Sequence, residues 1–324
     1  MERVPVVIAR RGLIGLLCSP LLPAAAGAPD AASWLARLNA AANERNYRGT
    51  MAFTVNGGVV SSSRIAHLSL GDQVFERVEA LDGQMHRVYR HNETVHSVWP
   101  QKKVVVVEQH ATAPGLVATR RRVDPRVLEF YTLAVMGTST VAGRSARVLM
   151  LEPRDDLRFA QRLLLDEATG LMLRADVLDA AGRVLESSGF TEVEIGLRLD
   201  RATVTDGMKP AGYAVMPSAR QAVDLAAEGW RLKAEVPGFR LLACVRRPAP
   251  AQSRDGHALQ AVYSDGLSFV SIFMEPWSEQ QAGDGAMGAT HTRMQRLGDH
   301  WITVMGDVPP RTLDLFLRAL ERRP

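Results

Sequence analysis

The sequence predicts an α+β protein: one long, curved antiparallel sheet with helices laid across it, then a smaller mixed α/β unit. Three observations predict it. Short runs alternating apolar with polar residues follow one another from Gly49 to Ile195, joined by turn-sized connections. Helical spacing interrupts them at only two places, residues 31–46 and the stretch opened by Asp124-Pro125. Regular patterning then breaks between Arg198 and Met216, at Met208-Lys209-Pro210-Ala211-Gly212 and Met216-Pro217, before strands resume. A sheet of that length tends to curl, and a curled sheet with a helix laid across it encloses a ligand cavity.

Export is the first local expectation. Arg3, Arg10 and Arg11 precede the short apolar run Gly12–Leu22, and small residues follow at Ala24-Ala25-Ala26 and Ala26-Gly27-Ala28. That order predicts a secretory signal peptide over residues 1–27, too short to span a bilayer. Leu17 stands before Cys18 where a lipid-attachment box needs a small residue, so Cys18 is read as part of the signal. Cys244 is then the remaining cysteine, and its neighbours Leu241, Leu242, Ala243 and Val245 predict burial. The net charge of +4 drops further with the signal's arginines and is too mild to argue for nucleic acid.

In the first unit, residues 28–197, Trp34, Leu35, Leu38, Ala41 and Ala42 share one face of the opening helix. Met51, Phe53 and Val55 alternate in the first strand, and Asn56-Gly57-Gly58 turns it into the second. Further strands are expected near 74–80, 85–90, 94–99 and 103–109. The helix from Asp124-Pro125 is expected to carry Val127, Leu128, Tyr131, Leu133 and Val135. Strands return near 137–152, 159–166, 171–178 and 184–195, with turns at Ala168-Thr169-Gly170 and Ala180-Ala181-Gly182. Residues 198–216 read as a linker. The second unit, 217–324, opens with a helix or turn at 220–227. It continues with strands near 240–245, 259–263 and 267–274 and a hairpin over 290–305, and a helix runs from Pro309-Pro310 to about Arg322.

The most distinctive stretch is VYSDGLSFVSIFMEP, Val262–Pro276. Asp265-Gly266 suits a tight hairpin turn. Leu267, Phe269, Ser271 and Phe273 face one way and Ser268, Val270, Ile272 and Met274 the other, so both sides are expected to be buried. Nothing in the stretch is a nucleophile or a phosphate cradle, and elsewhere catalytic patterns fail on context. Gly283, Gly285 and Gly288 match a dinucleotide fingerprint but follow the polar run Ser278–Gln281 rather than a strand. His86, His91 and His96 are five apart, an odd spacing that alternates faces on a strand. Asp155-Asp156 and the pair Glu192 and Glu194 lack an acid–base setting. No catalytic residue, metal or cofactor is expected.

With these motifs in order, the chain resembles the RseB/MucB family, periplasmic regulators of the extracytoplasmic σ factor σE/AlgU. The resemblance rests on Trp34-Leu35, on Asn46-Tyr47-Arg48-Gly49-Thr50, on Ser63-Arg64-Ile65 with His67, on Arg77–Gly83, and on Arg87-Val88 with Arg90. In the second unit it rests on Pro237-Gly238-Phe239, Tyr263–Phe273, Met287-Gly288-Ala289, Asp299-His300 and Val304–Pro309.

The resemblance implies a first domain similar to the lipoprotein carriers LolA and LolB, a curved, unclosed antiparallel β-barrel with helices over its concave face. It also implies a regulator that binds the periplasmic part of a membrane-spanning anti-σ factor of RseA/MucA type and shields it from a site-1 protease. Lipopolysaccharide or a similar lipid would release it, and homo-oligomers would be possible. A periplasmic lipid or lipoprotein carrier is the alternative. For the anti-σ tail the candidates are Tyr263, Leu267, Phe269 and Phe273, with Arg240 nearby; each could equally be core. For lipid they are Phe53, Ile65, Phe75, Tyr89 and Trp99 on the concave face, with Lys102, Lys103, Arg120, Arg121 and Arg122 for phosphates.

Overall fold

The computed structural model describes residues 31–83, 85–109, 123–248, 257–277 and 283–322. The expected signal peptide and the basic run Arg120, Arg121 and Arg122 lie outside the described residues.

Helix α1 (Ala31–Glu44) buries Trp34, Leu35, Leu38, Ala41 and Ala42, the face its spacing marks. Six strands follow: β1 (Tyr47–Val55), β2 (Gly58–Leu70), β3 (Gln73–Ala80), β4 (Arg87–His91), β5 (Thr94–Trp99) and β6 (Val104–Glu108). The β1–β2 turn uses Asn56 and Gly57, both at positive φ (49° and 82°), the backbone that a two-residue hairpin needs. After the short helix α2 (Val127–Phe130) come β7 (Tyr131–Val141), β8 (Arg144–Pro153), β9 (Ala160–Asp166), β10 (Met172–Leu178) and β11 (Val184–Ile195). Helix α3 (Arg201–Thr205) and β12 (Ala214–Pro217) complete the 12-stranded sheet, ordered β12-β6-β5-β4-β3-β2-β1-β11-β10-β9-β8-β7. Pairing is antiparallel throughout except between β12 and β6, and the ends β12 and β7 leave the curved sheet unclosed.

The second unit contains β13 (Gln221–Ala222), β14 (Trp230–Leu232), β15 (Arg240–Pro248), β16 (His257–Ser264), β17 (Phe269–Pro276), β18 (Gly285–Met287), β19 (Thr290–Leu297), β20 (His300–Gly306), α4 (Pro310–Ala319) and β21 (Leu320–Arg322). Its 7-stranded sheet runs β13-β15-β16-β17-β20-β19-β18. Leu313, Phe316 and Leu317 of α4 cover Tyr263, Val270, Ile272, Ile302 and Val304 in one core. Cys244 lies in that core, and burial pushes its thiol up to about 11. The α+β class and the unclosed first sheet agree with the sequence expectation.

Four expectations need correction. The helix opened by Asp124-Pro125 stops at Phe130, because Tyr131 to Val135 pair with Leu149 to Pro153 as strand β7. Pairing with a neighbouring strand outweighs the local helical spacing there. The final helix ends at Ala319, since Leu320–Arg322 pair with β14. Residues 198–216 are not irregular: they hold α3, capped by the Asp200 carboxylate accepting from the Ala202 amide, and β12. In the β16–β17 hairpin the second side is buried at Val262 and Ser264 of β16 but not fully along β17. Val270, Ile272 and Met274 are core, whereas Phe269, Ser271 and Phe273 are half-buried.

Candidate functional site

The Asp265-Gly266 tip organises the contact between the two units. It is a four-residue loop in which the Asp265 Oδ1 accepts from the amides of Leu267 (2.9 Å) and Ser268 (2.8 Å). The Ser264 hydroxyl accepts from the Gly266 amide and donates to the Ser268 carbonyl, so side chains satisfy the turn's backbone. Gly266 has φ +97°, and a Cβ there would stand 2.7 Å from the Asp124 Cβ. The tip therefore enters the first domain at a distance only glycine permits. Leu267 is wholly buried in the cluster that contains Trp34, Val127, Tyr131 and Leu149.

The other oxygen of Asp265, Oδ2, accepts from Arg158 Nε (2.7 Å) and from the Tyr131 hydroxyl (3.1 Å). The side chains of Arg158 and Asp265 are both 0% exposed. Arg158 also donates to the Asp155 carboxylate and the Pro237 carbonyl, and its guanidinium lies 4.6 Å and 5.1 Å from the ring centres of Phe130 and Phe239. Burial and the adjacent Asp265 carboxylate push the Tyr131 phenol well above its ordinary value, so it stays a donor. A second seam contact runs the opposite way. Glu186 of β11 accepts at Oε1 from the Ala289 and Thr290 amides (3.0 and 3.2 Å) and from the Thr290 hydroxyl (3.1 Å). The Thr312 hydroxyl of α4 donates to the Leu157 carbonyl at 2.6 Å.

The register divides the five apolar residues expected on one concave face. Ile65 faces Val78, Val78 faces Val88, and Val88 faces Ser97, two residues before Trp99. Phe53 stands opposite Ser61, four residues before Ile65. Phe53, Ile65 and Trp99 thus share the face on which Ile65 meets Ala41 of α1. Phe75 and Tyr89 belong to the opposite face, which corrects the expectation for these two. There Val204 packs on Phe75, and Met208 and Tyr213 pack on Tyr89. The Tyr89 hydroxyl donates to the Asp206 carbonyl at 2.6 Å, and the Arg201 guanidinium lies 4.8 Å from the Phe75 ring centre.

Trp99 gathers some of the remaining candidates. His86 stacks on it at 3.9 Å and the Lys102 ammonium lies 5.7 Å from its ring centre, while Lys102 and Lys103 are exposed. His91 stacks on Phe75 instead and His96 faces Tyr89, so the three histidines occupy separate aromatic settings. Of the residues expected to meet a partner, Tyr263 and Leu267 are inside, Tyr263 under Phe316 and Leu267 in the first domain. For these two the structure shows the core alternative. Arg240 is exposed, and Phe273 is half-buried with the Arg247 guanidinium 4.9 Å from its ring centre. The carboxylate pairs are ion-paired: Asp155 with Arg158, Asp156 with Arg311, and Glu194 with Arg48, while Glu192 accepts from Thr50. Sequence reasoning missed Arg158, Tyr131 and Glu186. Their one available signal was a charged or phenolic residue beside a turn, which a solvated loop shows equally well.

Family models for the MucB/RseB N-terminal and C-terminal domains match residues 30–208 and 224–321. The chain belongs to the MucB/RseB family. It is 32% identical over 320 residues to the sigma factor AlgU regulatory protein MucB of Pseudomonas aeruginosa, covering 96% of each chain. It is 23% identical over 329 residues, all of both chains, to the sigma-E factor regulatory protein RseB of Haemophilus influenzae. Among solved structures it is similar to MucB in the Pseudomonas aeruginosa MucA/MucB complex (TM-score 0.69, 28% identity, 91% of this chain and 100% of that one). It is also similar to a crystal structure of MucB (TM-score 0.69, 27% identity, 92% of this chain and 99% of that one). The family read from the sequence motifs is thereby shown across both MucB/RseB domains.

Proposed function

We propose that this protein is a periplasmic regulator that binds the periplasmic segment of a membrane-spanning anti-σ factor and protects it from site-1 proteolysis. The observation that carries the reading is the whole-length match to MucB, whose structure is known with MucA bound. The half-buried outer face of the second sheet, with Phe269 and Phe273, and the exposed Arg240 are the side chains assigned to that segment. Lipid is assigned to the α1-covered face, with Phe53, Ile65 and Trp99, and to the cations Lys102 and Lys103 beside it. A lipid that binds only the released state lowers partner affinity by its own preference for that state. Calorimetric titration of the mature protein with the partner's periplasmic segment tests the reading. Saturable binding that lipopolysaccharide weakens is expected, and uptake of lipid with no partner binding would favour a carrier instead.

A further inference from the structure

The segment that joins the two domains crosses the sheet face opposite α1 and leaves a cavity there. His96 pairs with Tyr89 on one side and Val107 on the other, and Val105, two residues from Val107, pairs with Val215 of β12. His96, Val105, Val107 and Val215 therefore share the face that carries Tyr89. With Thr94, Gln109 and Lys209 they line a cavity of about 450 Å³, within the ~300–1,000 Å³ typical of small-molecule sites. We propose that this cavity is a binding site for a small organic carboxylate with a short, branched apolar body, held between the sheet and the joining segment.

Three observations select that ligand. First, a buried polar group lacks a partner. His96 is 6% exposed and its Nδ1 makes no hydrogen bond, whereas buried polar groups are almost always paired. Second, the walls supply donors and a positive charge with no acid to meet them. Lys209 has no carboxylate partner among the described residues. The Thr94 hydroxyl donates to the Gln109 amide oxygen at 2.8 Å, which leaves the Gln109 NH₂ as a donor. A carboxylate accepts from an ammonium, an amide and an imidazole alike. Third, the apolar wall is short. Val105 and Val107 stand two residues apart on β6, roughly 7 Å and so the span of about five carbons. A long acyl chain would outrun that wall. Occupancy has two physical consequences. Lys209 and Val215 belong to the joining segment and the other lining residues to the sheet, so a bound ligand ties one to the other. Burial, Lys209 and His91 hold the His96 imidazole below its ordinary value. A carboxylate beside it favours the charged ring, so binding takes up a proton and tightens as pH falls. The titratable groups around His96 are Tyr89 and His91 of β4, Lys209 of the joining segment and, beyond Tyr89, Asp206; β6 presents Val107 there. The site goes beyond the regulatory reading and does not depend on it.

The test uses the full mature chain with three probes: 4-methylpentanoate, its neutral isostere 4-methylpentanamide, and inorganic phosphate. Binding is read by calorimetry and the joining segment by hydrogen exchange over residues 209–217. The carboxylate should bind at least about tenfold more tightly than the amide and slow exchange of the β12 amides by at least about threefold. Its affinity should be higher at pH 6 than at pH 7.5. Lys209→Gln should erase the preference over the amide, and Val215→Glu, which sets a carboxylate in the wall, should abolish binding. Both positions are exposed, so neither change touches the core. His96→Gln should flatten the pH dependence, and the two exposed variants still decide the matter if it fails to fold. Absence of binding, equal affinity for the amide, or phosphate binding as tightly as the carboxylate would each overturn the site. So would carboxylate binding that leaves β12 exchange unchanged or survives Val215→Glu.

Discussion

At the scale of single residues, the seam depends on a few buried polar groups. Arg158 and Asp265 are each wholly enclosed, and Arg158, which also pairs with Asp155, is the cation on the Asp265 carboxylate. Arg158→Ala should therefore strand the Asp265 charge and cost ~3–5 kcal/mol of stability, read as a lowered denaturant midpoint. A change below about 1 kcal/mol would mean that water reaches the pair. His96 gives a pH prediction. Burial, with Lys209 and His91 adding to it, holds its imidazole below the ordinary value. The fold favours the neutral ring, so its contribution is complete above the unfolded pKa of about 6.5 and is lost as pH falls through the lowered folded value. The denaturant midpoint should drop between pH 7 and pH 5, and His96→Gln should reduce that slope. Little of this was legible in sequence. Asp265-Gly266 reads as a turn whether its carboxylate meets water or Arg158, because turn chemistry is local and the Arg158 contact is not.

At the scale of elements, period-2 alternation made most strands readable, and β11 runs over Val184–Ile195 as expected. The face each strand presents was less readable. Phe75 and Ile65 look equivalent in their own strands, but register places Leu68, not Ile65, opposite Phe75. Local spacing also misled at Tyr131–Val135, where strand pairing prevails over a helical pattern. Gly49 shows an element held by one contact. A Cβ there would lie 2.3 Å from the Glu192 carbonyl oxygen and 2.9 Å from the Phe190 ring, at the β1–β11 pairing. Gly49→Ala should cost ~1–3 kcal/mol by overpacking, measured as a fall in Tm, and an unchanged Tm would contradict that close approach. β12 is the converse case. All four of its residues are exposed, and it pairs only along β6 at the sheet's end. Its amides should exchange far faster than those of β16, which lies between β15 and β17.

At the scale of the whole molecule, the two domains grip each other from both sides. Asp265 reaches into the first domain, while Glu186 of the first domain caps the Ala289 and Thr290 amides of the second. Calorimetric unfolding should thus show one cooperative transition that splits in a Glu186→Gln, Asp265→Asn double variant; two transitions in the unmodified protein would contradict a shared seam. The domain order was legible because both halves carry family motifs, whereas the seam was not, since its partners lie more than a hundred residues apart. Two domains joined by such a seam can present one surface to a partner while a ligand acts on another. The most direct test of the regulatory account follows cleavage of the partner's periplasmic segment by the site-1 protease. The mature protein should protect the segment, and lipopolysaccharide fragments should restore cleavage. Cleavage at the same rate with and without the protein would contradict the account.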